Sequence, residues 1–285
     1  MRYCGREFTD SQIQRIRQII AEDPDRTRAD ISRLLCRTFN WYKPDGGLKE
    51  MSCRVALLRM EKDGLIRLPL PRTKNGNGTR YARRTPAAEP SLPIVLDSRA
   101  FAELRLDVVA TRKESALWNE YIARYHYLGY NALPGAQLRY LIRFHGQELA
   151  CLGFGASAWK VAPRDRFIGW THEQRKRNLH LVVNNARFLI LPWVHSPNLA
   201  SKILSLLAKR LPEDWQNRYS YRPVLLETFV ECDRFRGTCY KAANWIHVGI
   251  TKGRGKLDVK KQYALPKKDI LLYPLVKKFR DSLCS

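Results

Sequence analysis

The chain has 285 residues, enough for one large domain or two smaller ones, and 45% of them are hydrophobic, which supports packed cores. It carries 51 Lys and Arg against 27 Asp and Glu, a formal net charge of +24. A surplus of that size repels itself unless a polyanion neutralises it, so nucleic acid is the expected partner, with an anionic membrane surface second. No apolar run reaches the roughly 20 residues of a spanning helix, and the opening MRYCGREFTD lacks an apolar signal core, so a soluble cytoplasmic protein is expected. The seven cysteines form no C-x-x-C pair, and an odd scattered set argues against a disulfide framework.

Residues 1–84 read as a small helical module. Phe8-Thr9-Asp10 precedes a first helix with Ile13, Ile16, Ile19 and Ile20 on one face, stopped by Asp23-Pro24-Asp25. Thr27-Arg28-Ala29-Asp30 has the form of a capping box ahead of a second helix with Ile31, Leu34 and Leu35. A polar turn with Pro44, Asp45, Gly46 and Gly47 leads to a third helix over residues 49–63, with Val55 and Leu58 on one face and Arg54 and Arg59 on another. Leu65-Ile66-Arg67-Leu68 then reads as a short strand and residues 72–84 as a basic wing.

That order is the winged helix-turn-helix pattern. Residues 1–84 hold 19 Lys and Arg against 10 Asp and Glu, with the excess on the third helix and the wing. On this reading Arg54 and Arg59 approach the major groove, and Arg72, Lys74 and Arg80 meet phosphates. A three-helix protein-interaction domain with a solvated basic face is the alternative.

Residues 85–97, with three prolines, read as a semi-rigid linker into a domain spanning 98–255. A helix-like segment, 98–123, leads to Tyr125-His126-Tyr127-Leu128-Gly129-Tyr130, whose rings could stack bases, carry a proton or pack under a sheet. Strands are expected over 138–144 and 149–156, around a turn at His145-Gly146-Gln147. Thr171 to Arg177 is strongly polar and reads as mobile. Asn184-Asn185-Ala186-Arg187 opens onto Phe188-Leu189-Ile190-Leu191, a buried-strand block, and a helix begins after His195-Ser196-Pro197-Asn198.

A strand feeding a helix N-terminus can receive an anion, and it can equally be an ordinary corner. Residues 224–230 are the next strand, where alternation puts Glu227 beside Leu225 and Phe229, a position that demands pairing or serves chemistry. Tyr240 falls on a short helix, and a last strand covers 246–251. Residues 256–285 read as a basic tail; from Lys252 onward ten Lys and Arg stand against three Asp, with Lys252, Arg254 and Lys256 as phosphate contacts.

The segments YHYLGY, RDRFIGW, NNARFLILPWV, NLASKIL, LLETFV and RFRGTCYKAANWIHVGITKGRG together resemble the DruA family. Its members belong to Druantia anti-phage defence systems, with relatives in transposon-like mobile elements. The resemblance implies action on DNA in a defence or mobile-element setting. The element order of the second domain is also similar to the acetyltransferase-like (GNAT) fold. The fold class expected is therefore α+β, a winged helix-turn-helix followed by a mixed-sheet α/β domain. On the GNAT alignment, residues 195–201 replace the family's R-x-x-G-x-G/A loop with glycine-free residues, so coenzyme A is not expected.

The leading expectation is a DNA-processing enzyme that cleaves or transfers strands like a transposase or nuclease. In it Asp165 and Glu227 hold a magnesium or manganese ion, His126 shuttles protons, Arg187 and Arg254 hold phosphates, and Tyr240 is an alternative covalent nucleophile. The second expectation is an acetyltransferase-like enzyme acting on a base or a protein, with Tyr240 as acid and Glu227 as base. The third is a non-enzymatic DNA-binding recruiter. Expected partners are DNA, defence-operon proteins including a helicase, and a second copy of the chain as a homodimer; no membrane is expected.

Overall fold

A computed structural model describes residues 1–72, 84–253 and 265–285. The chain divides into two compact units, 1–80 and 81–285.

The first unit opens with a hairpin of β1 (Arg2–Tyr3) and β2 (Arg6–Glu7), turned at Cys4 and Gly5, both at positive φ as a tight two-residue turn requires. Its three helices are α1 (Asp10–Ala21), α2 (Arg28–Thr38) and α3 (Glu50–Lys62). Thr9 and Gln12 form a reciprocal capping box on α1, and Thr27 accepts the Asp30 N–H to start α2. Ile13, Ile16, Ile19, Ile31, Leu35, Leu57 and Met60 meet in one core with Tyr3, Phe8 and Trp41.

Two features depart from the winged pattern. Residues 39–49 separate α2 from α3, a longer connection than the three or four residues of a helix-turn-helix, because Trp41 is drawn into the core and Tyr42 bridges Leu48. The strand expected at 65–68 is absent. That segment is held instead by side chains, through Arg17 Nε on Leu65 O (2.8 Å) and the Leu68 N–H on Glu61 Oε1 (2.8 Å). Most of the expected wing, with Lys74 and Arg80, lies outside the described residues.

The second unit is built on a seven-stranded mixed sheet in the order β3-β4-β5-β6-β7-β9-β8. The strands are β3 (Arg105–Val108), β4 (Gln137–Phe144), β5 (Gln147–Ala156), β6 (Val182–Ile190), β7 (Leu225–Glu231), β8 (Ile246–Ile250) and β9 (Lys268–Pro274). Every pairing is antiparallel except β6 with β7. Those two need a crossover, and α7 (Leu199–Tyr219) supplies it. The other helices are α4 (Arg112–Tyr125), α5 (Ala162–Ile168), α6 (His172–Asn178), α8 (Thr238–Ala242) and α9 (Phe279–Leu283).

Three sequence expectations change here. The polar run from Thr171 to Arg177 is not mobile: it forms α6, capped reciprocally by Thr171 and Gln174, with Arg175 and Asn178 buried. The basic tail is not a tail, since its residues 268–274 form β9 between β7 and β8 and bury Ile270, Leu271 and Leu272. The helix-like reading of 98–123 gives way to a short turn of helix, the edge strand β3 and α4. No helix among the described residues is long and apolar enough to cross a membrane.

Candidate functional site

β6 and β7 pair in parallel from Val182 with Leu225 to Asn185 with Thr228, and no further. Both continue: β6 runs to Ile190 on β5, and β7 runs to Glu231 on β9. The two strands therefore splay apart in the middle of the sheet. A bulge marks the point of divergence, because Gly153 faces Arg187 while Phe154 faces Asn185, leaving Ala186 as the extra residue. The opening holds a cavity of ≈ 290 Å³. Its walls come from Asn185, Ala186, Phe188 and Ile190 on β6, Thr228 to Val230 on β7, Ala200 on α7, Phe235 to Tyr240 around α8, and His126 to Leu128 after α4.

A chain of neutral polar groups lies at the apex. Tyr240 Oη donates to Asn185 Oδ1 at 2.6 Å, and Thr228 Oγ1 donates to Asn185 O at 3.1 Å. Asn185 Nδ2 donates in turn to Gly153 O and Arg187 O. Gly237, at φ 63°, turns the chain into α8 and delivers Tyr240 to this place. The phenol is buried, and burial pushes its pKa up, so it stays protonated at neutral pH.

His126 faces the same cavity. Burial, with the Arg187 guanidinium second, pushes its imidazole down to about 4. Its Nδ1 accepts the Leu128 N–H at 3.2 Å, which assigns the proton of the neutral ring to Nε2. A ring that stays neutral at pH 7 presents its N–H as a donor. Tyr127 stacks on His126, meets Phe235 edge-on at 5.1 Å, and lies under the Arg234 guanidinium.

Asp165 and Glu227 do not join this group. Thr228 faces Tyr240, so its neighbour Glu227 points to the other side of the strand. There Arg164, fully buried, donates from Nη1 to Glu227 Oε2 at 2.8 Å, and from Nε and Nη2 to Asp165 Oδ1 at 3.0 and 2.8 Å. Arg175 Nη1 reaches Asp165 Oδ2 at 3.1 Å, and Trp170 Nε1 donates to Oδ1. Glu227 also accepts the Ala158 N–H at 2.9 Å; burial raises its pKa, and Arg164 pulls it back.

The cation between these two carboxylates is a guanidinium, which corrects their reading as metal ligands and as catalytic groups. No group of three or more His, Cys, Asp or Glu side chains among the described residues is arranged to hold a metal ion. Tyr240, the alternative covalent nucleophile, is 7% exposed, and its hydroxyl is engaged with Asn185.

The cationic candidates are scattered. Arg59 and Lys252 are exposed. Arg54 is ion-paired to Glu50, and Arg72 donates to Asp25 O at 2.6 Å. Arg187 is half-buried, with Nη1 on Ala186 O at 2.7 Å and its Nε unpartnered. Arg254 and Lys256 lie outside the described residues. Sequence reasoning missed Asn185, Thr228 and Arg164; the one available signal was a pair of amides, Asn184-Asn185, ahead of an apolar strand.

Comparison with known proteins decides the family. The model of the family described as Druantia protein DruA matches residues 59–264, well over half of the chain.

The chain belongs to the DruA family.

No curated protein matches the sequence of this DruA-family chain. Solved structures with a similar arrangement include acetyltransferases. One is a ribosomal-protein alanine N-acetyltransferase from Escherichia coli, with TM-score 0.36, 11% identity, and coverage of 60% of this chain and 94% of that one. Another is an N-acetyltransferase from Staphylococcus aureus, with TM-score 0.36, 13% identity, and coverage of 60% and 99%. A third is AAC(6')-Ib in complex with ribostamycin and coenzyme A, with TM-score 0.39, 13% identity, and coverage of 60% and 93%.

Proposed function

We propose that this DruA-family chain is a nucleic-acid-associated group-transfer enzyme of the acyltransferase kind, working in the wedge between β6 and β7. One observation carries the reading: two parallel neighbours in the middle of a sheet stop pairing after Asn185 and Thr228 and enclose a cavity against a buried phenol. A cavity with apolar walls and a few convergent polar groups is the usual setting of a small-molecule site.

The wedge fits the slim end of an acyl thioester. Phe188, Ile190 and Val230 offer apolar walls, and Tyr240 and His126 offer neutral donors. The loop ahead of α7 does not fit the diphosphate of coenzyme A, since residues 191–198 contain no glycine and Pro197 has no N–H. Such a donor would supply an activated carbonyl: its C–S bond breaks as the acceptor amine's C–N bond forms, and the proton that the amine loses ends, through solvent, on the released thiolate.

The side chains of the wedge act as hydrogen-bond donors. Transfer of the Tyr240 proton to a thiolate would run uphill, because a thiol titrates near 8.5 and burial holds the phenol higher. Rotation of the hydroxyl away from Asn185 Oδ1 aims its hydrogen at the departing sulfur. His126 lines the cavity, and its Nε2–H is the donor available for a developing negative oxygen. The net charge of +24 supports nucleic acid, or a protein bound to it, as the surface on which the acceptor is presented. Strand cleavage has less support, because the carboxylates it requires are closed by arginines.

Incubation with S-acetyl-pantetheine and a panel of oligonucleotides and lysine peptides tests the reading, with free thiol and acceptor mass as readouts. Thiol release with a 42-dalton gain on one acceptor class is expected, reduced about a hundredfold by Tyr240→Phe, the typical loss on removing one such donor. Release no faster than in buffer, for every acceptor, would remove the proposal.

A further inference from the structure

We infer that the wedge recognises its acyl donor through the pantetheine arm alone, and that the nucleotide half of coenzyme A gains no grip on this protein. The inference rests on the acyl-transfer reading above and narrows its substrate class.

The observation is a strap. Residues 94–96, from the segment that reads in sequence as a linker, lie along the loop between β6 and α7. Ile94 bridges Val194 in parallel. The Ile94 N–H donates to Trp193 O at 2.8 Å, the His195 N–H donates to Ile94 O at 2.8 Å, and the Leu96 N–H donates to Ser196 Oγ at 2.6 Å. The loop that would have to cradle a diphosphate is thus already paired with another part of the chain.

Three more of the loop's backbone positions have no N–H to offer. The Val194 N–H is bonded to Leu191 O, the Leu199 N–H to Ser196 O, and Pro197 has none to give. Every position from 191 to 198 carries a Cβ, so the backbone cannot approach a phosphate as closely as a glycine loop does.

The strap is a fixed part of the fold, not a flap. Upstream of it Ala88 is fully buried, its carbonyl accepts Tyr125 Oη at 2.8 Å, and the Thr85 N–H donates to Glu120 Oε1 at 2.7 Å. Leu96 is itself buried. The cavity, by contrast, is unobstructed by these residues, since the strap lies on the loop and not among the cavity walls. An arm can enter while a diphosphate finds no cradle.

Calorimetric titration of the full chain with S-acetyl-pantetheine, acetyl coenzyme A and adenosine 3',5'-bisphosphate tests the inference. It is run at about 0.15 M salt so that the net charge alone does not favour the anionic ligands. The two thioesters are expected to bind within threefold of each other, and the bisphosphate at millimolar concentration to leave their binding unchanged. Acetyl coenzyme A binding tenfold or more tightly than the pantetheine thioester, or competition by the bisphosphate, overturns the inference and leaves the acyl-transfer reading standing. Binding of neither thioester removes both.

Discussion

Glu227 and Thr228 are neighbours on β7, and their side chains enter opposite surroundings. Glu227 meets a buried ionic cluster in which Arg164 and Arg175 neutralise two carboxylates. Thr228 meets an uncharged set, Asn185, Tyr240 and His126, at the edge of a cavity. The charged side looks more like chemistry in a sequence, yet every charge on it has a partner. The neutral side keeps donors beside open volume. Burial is what separates them: an ionised group in a sheet interior must be paired at close range, and pairing removes it from use. A phenol or an amide can be buried at lower cost and still donate to an incoming group.

The contrast can be broken most severely on the ionic side. Arg164→Met leaves Glu227 buried without a cation and Asp165 with Arg175 alone, and should cost about 3–5 kcal/mol in the unfolding of residues 81–285 by urea. Combining it with Glu227→Leu should restore a large part of that loss. Equal loss in the single and double variants would show that the cluster acts through packing and not through charge.

A smaller effect is expected from His126. Its folded pKa, about 4, lies below the ordinary 6.5, so between those values the unfolded chain binds the extra proton. The stabilisation is fully present above pH 6.5 and is lost as pH falls through the folded value. With partial solvent access, about 2 kcal/mol should disappear between pH 7 and pH 4 in the wild type and be missing from the same profile of His126→Gln. Superimposable profiles would show a ring that is solvated and free to charge.

The smallest effect should come from Thr228→Val, which removes the hydroxyl on Asn185 O. It should cost about 1 kcal/mol and leave the ionic cluster unmoved, as read by additivity with Arg164→Met.

Much of the second unit was legible because its elements are strongly patterned. The block Phe188 to Leu191 reads as a strand and lies largely in β6, and the helix after Asn198 begins where its apolar spacing starts. Thr27 was recognisable as a cap for the same local reason. What could not be read depends on contacts distant in sequence. Arg164 and Glu227 are 63 residues apart, and nothing near either one announces the pair. The splay depends on where the β6–β7 register stops, which no single strand encodes. The three prolines of residues 85–97 suggested a linker, whereas Ile94 and Leu96 make the strap by pairing with a loop a hundred residues away. Polar α6 was hidden because its buried face is made by Arg175 and Asn178, residue types that read as solvent-facing.

The central claim, that the wedge is the working site, is tested most directly by blocking it. Ala200 lies in the first turn of α7 and lines the cavity, so Ala200→Trp fills the space from the wall and leaves Tyr240, Asn185 and the ionic cluster unsubstituted. Titration of S-acetyl-pantetheine into the wild type and into this variant, with the two matched for melting temperature, should show saturable binding in the first and at least about tenfold weaker binding in the second. Equal binding to both proteins, or none to the wild type, would contradict the account.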